Sequence, residues 1–451
     1  MPTPESPLAD PSCPDHFPYR FSPEADLPPY ARVRAEGRSL GESLWEGVSY
    51  LRKYRRAKRS APPEEVRYFD EQRRLLRWLS GGPDVGLRLG MLGDVMWLRD
   101  GWRTFLSPEV LSYLNGHQVV LGNLESPISP RFRVPSLLPD YFTFNADPAL
   151  LTSFRRPDGS STFSALATAN NHSLDRGEAG LADTLDLLDR LGVAHAGVRR
   201  SAADRPYAVF ERDGLRFGFY AACWGMNDPA AAGRSALPIE VLPGLAPRVT
   251  HPVDLSRVQA ALADMGAAGV DFKVVYLHWG YEFELYPCPD LMQVGRAIVA
   301  AGADVVMGSH PHVVQPVEVC LVNGYARRLR EAGADLPALD AGAGCLLEDA
   351  AGVPRKALIV YSLGNFATTM YTQLCRTGMV LGLRLARDEQ TNRVDWHRPE
   401  VQLVYNVHRD PQTRQRRLVL LETYLRECER RGDRADAVRA TAAYLHAHVL
   451  G

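Results

Sequence analysis

No C-x-x-C pair occurs anywhere in the chain, and no apolar run approaches the length of a membrane-spanning helix. The first absence excludes a thiolate zinc site and dithiol redox chemistry; the second excludes a helical membrane span. The opening stretch MPTPESPLADPSCPDHF is acidic and proline-rich where a secretory leader needs a basic start and an apolar core, so a cytoplasmic location is expected. Seven cysteines, odd in number and scattered from Cys13 to Cys428, point to reduced thiols rather than a disulfide framework. Cys288 reads as a packed small residue, because no motif activates it. An excess of one charge is also missing: 52 basic residues face 53 acidic ones. No global field then draws the chain to nucleic acid or a membrane surface, and no nucleic-acid partner is expected. What is present is a globular composition, 451 residues with 45% hydrophobic and 23% charged content, enough for a large core.

Residues 1–85 lack the strand-and-loop rhythm of the central chain. Leu40, Leu44, Val48 and Leu51 recur at helical spacing, as do Leu75, Leu76 and Leu79, which predicts two helices around the Ala61-Pro62-Pro63 break. The basic cluster Arg52, Lys53, Arg55, Arg56, Lys58 and Arg59 reads as a solvated helix face, with contact to a phosphate-rich partner as the alternative. From Gly86 onward, short apolar runs end in polar clusters: LRLGMLGD, HQVVLGNLE, FSALATANNH, KVVYLHWG, ADVVMGSHPH and ALIVYSLGNF. Helices fit between several of them, including Gly177 to Leu191 and Leu291 to Ala301, so an α/β sheet buried on both faces is expected. A hairpin is expected to turn at Asp213-Gly214, and MVLGLRLARDEQTNRVDWHRPEVQLVYNV reads as two strands. RRLVLLETYLRECERR and ADAVRATAAYLHAHVL read as terminal helices, and residues 325–356 as an insertion or surface excursion. The expected organisation is an N-terminal helical extension over 1–85, a central domain over 86–410 and C-terminal helices over 411–451.

Ligands of such sheets collect at the carboxyl ends of strands, and the polar clusters lie there. In GSHPHVV, residues i and i+2 of extended backbone point to one side, which would aim His310 and His312 at one point, as ligands or as a structural pair. His278, Asn171 with His172, Asp94 and Glu125 close four further runs. One such residue is usually a loop former; five such strand ends together point to a metal site. Mixed imidazole and carboxylate donors suit Mn, Fe or Zn better than calcium.

GDVMWLR, GNLESPI, ANNHSLDRG, HWGYE, GADVVMGSHPHVVQP and YSLGNF resemble, in order and almost letter for letter, the motif series of the CapA (poly-γ-glutamate capsule synthesis) family, over roughly residues 86–370. That family is similar to the calcineurin-like metallophosphoesterases. The resemblance implies an αββα sandwich with helical extensions and one or two divalent metal ions. It implies that Asp94 and His312 serve one metal, that Glu125 bridges, and that Asn171, His278 and His310 serve a second. His172 would be the proton donor, oriented by Asp175 or Glu282, and Arg99 and Asn365 would hold an anionic substrate group, with a turn role as the alternative for Asn365. Met96 stands where the broader phosphoesterases usually carry a histidine, which thins the first site. The family's capsule proteins are typically membrane-tethered, and no anchor is expected here.

The expected activity is metal-dependent hydrolysis of a phosphoester or γ-glutamyl amide, with an anionic small molecule or γ-glutamyl polymer as substrate. Two readings stand beside it. One is a non-hydrolytic, polyanion-binding partner of a γ-glutamyl ligase system; the other is a small-molecule biosynthetic enzyme repurposed through its extra segments.

Overall fold

Apolar runs punctuated by Gly, Asn or His form the strands of two sheets, and their alternating side chains feed two different cores. The computed structural model describes residues 48, 51–96, 98, 105–134, 143–227, 235–242, 245, 253–331, 345–410 and 413–450. In chain order the strands are β1 Leu87–Met96, β2 Val119–Glu125, β3 Ala165–Ala167, β4 Ala194–Ala196, β5 Tyr207–Arg212, β6 Leu215–Cys223, β7 Phe272–His278 and β8 Val305–Ser309. They continue as β9 Val317–Val322, β10 Cys345–Leu347, β11 Arg355–Val360, β12 Asn365–Ala367, β13 Thr377–Arg387, β14 Val394–Val407 and β15 Arg417–Leu420. One sheet runs β15-β14-β13-β1-β2-β3-β4, with β12 added beside β1; the other runs β10-β9-β11-β8-β7-β6-β5.

The period of two in each strand separates the layers. Leu89, Met91, Val119 and Leu121 join one continuous cluster with Phe219, Tyr276 and Val306 of the second sheet. That cluster extends to Val258, Leu262, Leu291 and Ile298, on the helices Ser256–Ala267 and Pro289–Ala300. The intervening residues Leu92, Val120, Leu124 and Leu166 pack instead with Val110, Leu114 and Leu188, on the helices Pro108–Asn115 and Gly177–Arg190. The result is the expected αββα sandwich. Each fully buried Leu or Val contributes about 1.5–3 kcal/mol through burial alone.

Both expected N-terminal helical stretches contain helix, at 51–55 and Pro63–Ser80; Leu40 and Leu44 lie outside the described residues. Val48 and Leu51, two of the residues that recur at helical spacing, are 65% and 55% exposed. Pro63–Ser80 starts at its Pro-Pro break, carries Glu64 and Glu65 in its first turn and buries Tyr68, Phe69, Leu75, Leu76 and Leu79. Gln72 on its inner face accepts from the Val319 amide. Two members of the basic cluster are not free on a solvated face: Lys53 and the more exposed Lys58 both pair with Glu284.

The hairpin turns at Asp213-Gly214 as expected. The segment RRLVLLE departs from expectation, because Arg417–Leu420 form β15 and helix begins only at Leu421. The edge of β14 offers unpaired backbone groups, and Tyr405 pairs with Val419 there, so pairing outweighs helix propensity. Residues 325–356 contribute the helix Tyr325–Glu331 and the edge strand β10. Among the described residues, no helix is long and apolar enough to cross a membrane.

Gly93 sits where β1 meets β12, and a Cβ there would lie 1.8 Å from the Gly364 carbonyl oxygen. Gly93→Ala is therefore expected to force these backbones apart and destabilise the protein by about 3 kcal/mol or more, read as a lowered melting temperature. A variant that melts like the parent would show that the contact is not required.

Candidate metal centre

Each candidate ligand sits at or just beyond a strand's carboxyl end, and the two sheets bring these ends together. Asp94 and Glu125 come from adjacent parallel strands β1 and β2 of the first sheet, and Asn171 follows β3. His278 closes β7, and His310 and His312 follow β8, both in the second sheet. The extended-backbone argument for His310 and His312 does not hold: φ is +99° and +59°, in the left-handed region. Positive φ at two non-glycine residues costs energy, and such strain concentrates at functional sites. The turn still brings the two rings to 5.8 Å and places His310 at 4.7 Å from His278, centroid to centroid.

Three clusters result, each with its ligand atoms within 4.8 Å of one another: Asp94, Glu125 and His312; Glu125, His278 and His310; and Glu282, His310 and His312. The first two coincide with the sets expected from the resemblance, and Glu125 is common to both. Asn171 joins the second, its Oδ1 lying 2.8 Å from His278 Nε2. Glu282 lies 3.6 Å from His312 Nε2, and its side chain keeps 25% exposure, so it stands on the open side. His172 Nδ1 lies 2.6 Å from Asp175, so of the two orienting residues expected, the structure pairs Asp175 with His172 and Glu282 with His312.

Asp94 is the most heavily held of these groups. Asn123 Nδ2 donates to it at 2.7 Å, Ser309 Oγ donates to the same oxygen, and the His310 amide reaches the other oxygen at 3.4 Å. Burial pushes its carboxyl up, but the His312 hydrogen bond and the nearby imidazoles bring it well below the usual carboxylate range. Burial and the neighbouring Asp94 hold Glu125 well above its usual value. Burial pulls His312 down, yet Glu125, Asp94 and Glu282 together raise it well above a free imidazole. His310 is lowered to about 4 by burial, and His278 is also lowered, by burial and by His310.

Whether these residues fit a cation can be tested on their unmet bonding. Both Glu125 carboxylate oxygens and His310 Nδ1 are buried without a hydrogen-bond partner, a cost of several kcal/mol for such groups unless something else binds them. The second test is orientation. Ionised Asp94 can only accept, so Ser309 donates to it; Tyr276 can then donate to Ser309 and accept from His278 Nδ1 at 3.1 Å. In that tautomer the lone pair of His278 Nε2 faces the oxygen of Asn171 at 2.8 Å, two donors to a cation and a poor pair for each other. Oxygen and imidazole donors grouped in this way could hold a divalent metal ion.

Asn365, expected at a substrate contact or in a turn, begins β12. It is fully buried opposite Asp94, its Oδ1 lies 3.0 Å from His312 Nδ1, and its amide nitrogen donates to the Cys375 carbonyl. It orients His312 and leaves His312 Nε2 toward the carboxylates. Arg99 lies outside the described residues. Met96 is buried in a small cluster with Phe144 beside the centre, and Thr368 Oγ1 donates to its sulfur. The Cys288 thiol is pushed up to about 12 by burial, which keeps it protonated and inert. Residues not singled out in the sequence include Phe144, which stacks on His172 at 3.6 Å, and Asn227, which bonds to Asn171. Asn227 follows β6, another apolar run with a polar end, so the same signal marks it; Phe144 carries no such mark.

The family model for the bacterial capsule synthesis protein PGA_cap matches residues 88–370. A capsule biosynthesis protein CapA of Bacillus anthracis is 29% identical over 246 residues, covering 52% of this chain and 56% of that protein. A PGA biosynthesis protein CapA of Bacillus subtilis (strain 168) is 31% identical over 159 residues, covering 35% and 39%. The chain thus matches about half the length of these relatives or less. Among solved structures, a 5′-nucleotidase precursor from Thermus thermophilus aligns with a TM-score of 0.35 at 15% identity, over 80% of this chain and 59% of that one.

The raised His312 and Glu125 values mean that the metal-free centre holds protons a cation must displace. Affinity should therefore rise with pH and fall as the solution is acidified. Calorimetric titration with Mn²⁺ or Zn²⁺ at pH 7 in buffers of different ionisation enthalpy should report release of about one to two protons per site filled. Binding with no proton release would contradict this arrangement of charges.

Proposed function

The chain belongs to the bacterial capsule synthesis protein family, and from that premise we propose that it is a metal-dependent hydrolase of a phosphoester or γ-glutamyl amide, working in poly-γ-glutamate or related biosynthesis. The observation that carries the reading is Glu125, a fully buried carboxylate with no hydrogen-bond partner, shared by two ligand clusters. A divalent cation held by Asp94, Glu125, Asn171, His278, His310 and His312 supplies Lewis acidity toward an anionic or carbonyl oxygen and lowers the pKa of water.

The chain's own groups supply the rest. His172 is the proton donor to the leaving group: Asp175 engages Nδ1, so Nε2 is the nitrogen that hands over the proton. The parallel Phe144 ring, 5° from coplanar, fixes the imidazole plane. Asp175 is itself held, accepting from the Phe144 amide, so acid, orienting carboxylate and stacking ring form one unit. Glu282, at the open side, adds negative charge near His312 and His310, where it can accept a proton from water or take part in binding the cation.

Both relatives are named for biosynthesis rather than hydrolysis, which supports a second reading in which the centre binds a polyanion without cleaving it. One set of measurements separates the two. Phosphomonoesters, phosphodiesters and γ-glutamyl peptides are screened for turnover against metal-loaded protein, with metal content determined in parallel. His172→Ala should keep its metal and lose turnover by about 10²–10⁴-fold, while Asp94→Asn and His310→Ala lose metal and activity together. Full turnover in His172→Ala would remove it from the acid role. A metal-loaded wild type that cleaves nothing but binds polyglutamate would favour the second reading.

A further inference from the structure

Resting on the metal-centre reading above, we infer that Asn227 is a positioning residue that fixes the metal-facing orientation of Asn171 and joins that ligand to the proton donor His172. Asn171 reaches the centre through its amide oxygen, but an asparagine amide presents either oxygen or nitrogen after a half-turn, and the nitrogen end cannot ligate a cation. Something must select the face. Asn227 does so with one bond, its Oδ1 accepting from Asn171 Nδ2 at 2.9 Å, and a second bond, from its backbone N–H to the Asn171 backbone carbonyl at 3.0 Å, keeps the two residues side by side. With the Asn171 nitrogen thus engaged, the oxygen is left 2.8 Å from His278 Nε2, on the side of the ligand cluster.

The other end of the same amide addresses the acid. Asn227 Nδ2 lies 3.3 Å from Nδ1 and 3.5 Å from Nε2 of His172; because Nδ1 gives its proton to Asp175, only the Nε2 lone pair can accept from the amide, and it does so in the form of His172 that has handed its proton over, while the ring stays stacked on Phe144. One planar amide therefore spans from a ligand to the proton donor and sets their relative placement. Asn227 itself is placed by the end of β6, which runs parallel to β7 with Cys223 beside His278; the next residue, Trp224, donates its amide to the His278 carbonyl at 3.1 Å. The loop carrying Asn227 is in this way tied to the strand that delivers His278, and it reaches across to the first sheet to hold Asn171 and His172.

The two ends of the amide can be separated by substitution in the full-length protein. Asn227→Ala removes both contacts, whereas Asn227→Asp keeps an oxygen acceptor for Asn171 and loses the N–H facing His172. Asn227→Ala is expected to weaken Mn²⁺ or Zn²⁺ binding about 10–100-fold, measured by competition with a chelating indicator, and to lower kcat. Asn227→Asp is expected to retain metal affinity within a few-fold while kcat falls about 10-fold or more and the pH–rate profile shifts, with KM little changed. Melting temperatures are recorded for both. The inference is overturned if Asn227→Ala binds metal and turns over like the parent, or if both variants lose metal equally in step with a lowered melting temperature, as a purely structural residue would. If the wild type itself binds no metal, the centre reading fails; if it binds and only the variants behave like the parent, this inference alone fails.

Discussion

The Asp94 carboxylate is the joint at which the two sheets meet. It projects from β1 in the first sheet, yet Ser309 and the His310 amide, which bond to it, belong to the end of β8 in the second. A buried, ionised carboxylate is costly unless fully hydrogen-bonded, and here donors arrive from both layers. Gly93 lets the β12 backbone close against the same point, and Asn365, directly opposite Asp94, then reaches His312. The geometry of the centre follows from this convergence, because the residues that hold Asp94 are the neighbours of those that face the cation position.

Charge at the centre is arranged so that protein groups alone do not complete it. Asp94 and His312 compensate each other, while burial and Asp94 push the Glu125 carboxyl well above its usual value and both of its oxygens stay without a hydrogen bond. The neutral imidazoles of His278 and His310 add lone pairs. Such a collection is poor as a folding device, since several kcal/mol of burial cost goes unmatched, and good as a cation site, where one dication satisfies every acceptor. His172 stands outside the ligand clusters and is bound to Asp175, which suits a proton carrier more than a ligand.

That the candidate ligands lie at strand ends was readable, because an apolar run long enough for a strand and ending in Asp, Glu, Asn or His marks a strand terminus, where parallel sheets present their polar groups. The sandwich was readable from the family-like motif order and the alternation of strands and helices. The error at Arg417–Leu420 came from a leucine-rich run whose state is set by the open edge of β14 rather than by its own spacing. The backbone of the His310–His312 turn was misread for a related reason. Its positive φ angles occur together with contacts to Asp94 and Asn365, from strands far away in sequence.

The sequence by itself determined which residues could serve as ligands and in which order the strands present them, because strand period and strand-end chemistry are local properties. It did not determine which groups support them. Tyr276, Ser309, Asn123 and Phe144 are ordinary in their own segments and acquire roles only from residues distant in sequence that the fold brings beside them. Which carboxylate keeps its proton and which oxygen of which amide faces inward depend on short distances between residues far apart along the chain, 215 positions for Asp94 and Ser309. Those distances exist only in the folded chain, where low-dielectric burial makes each of them count.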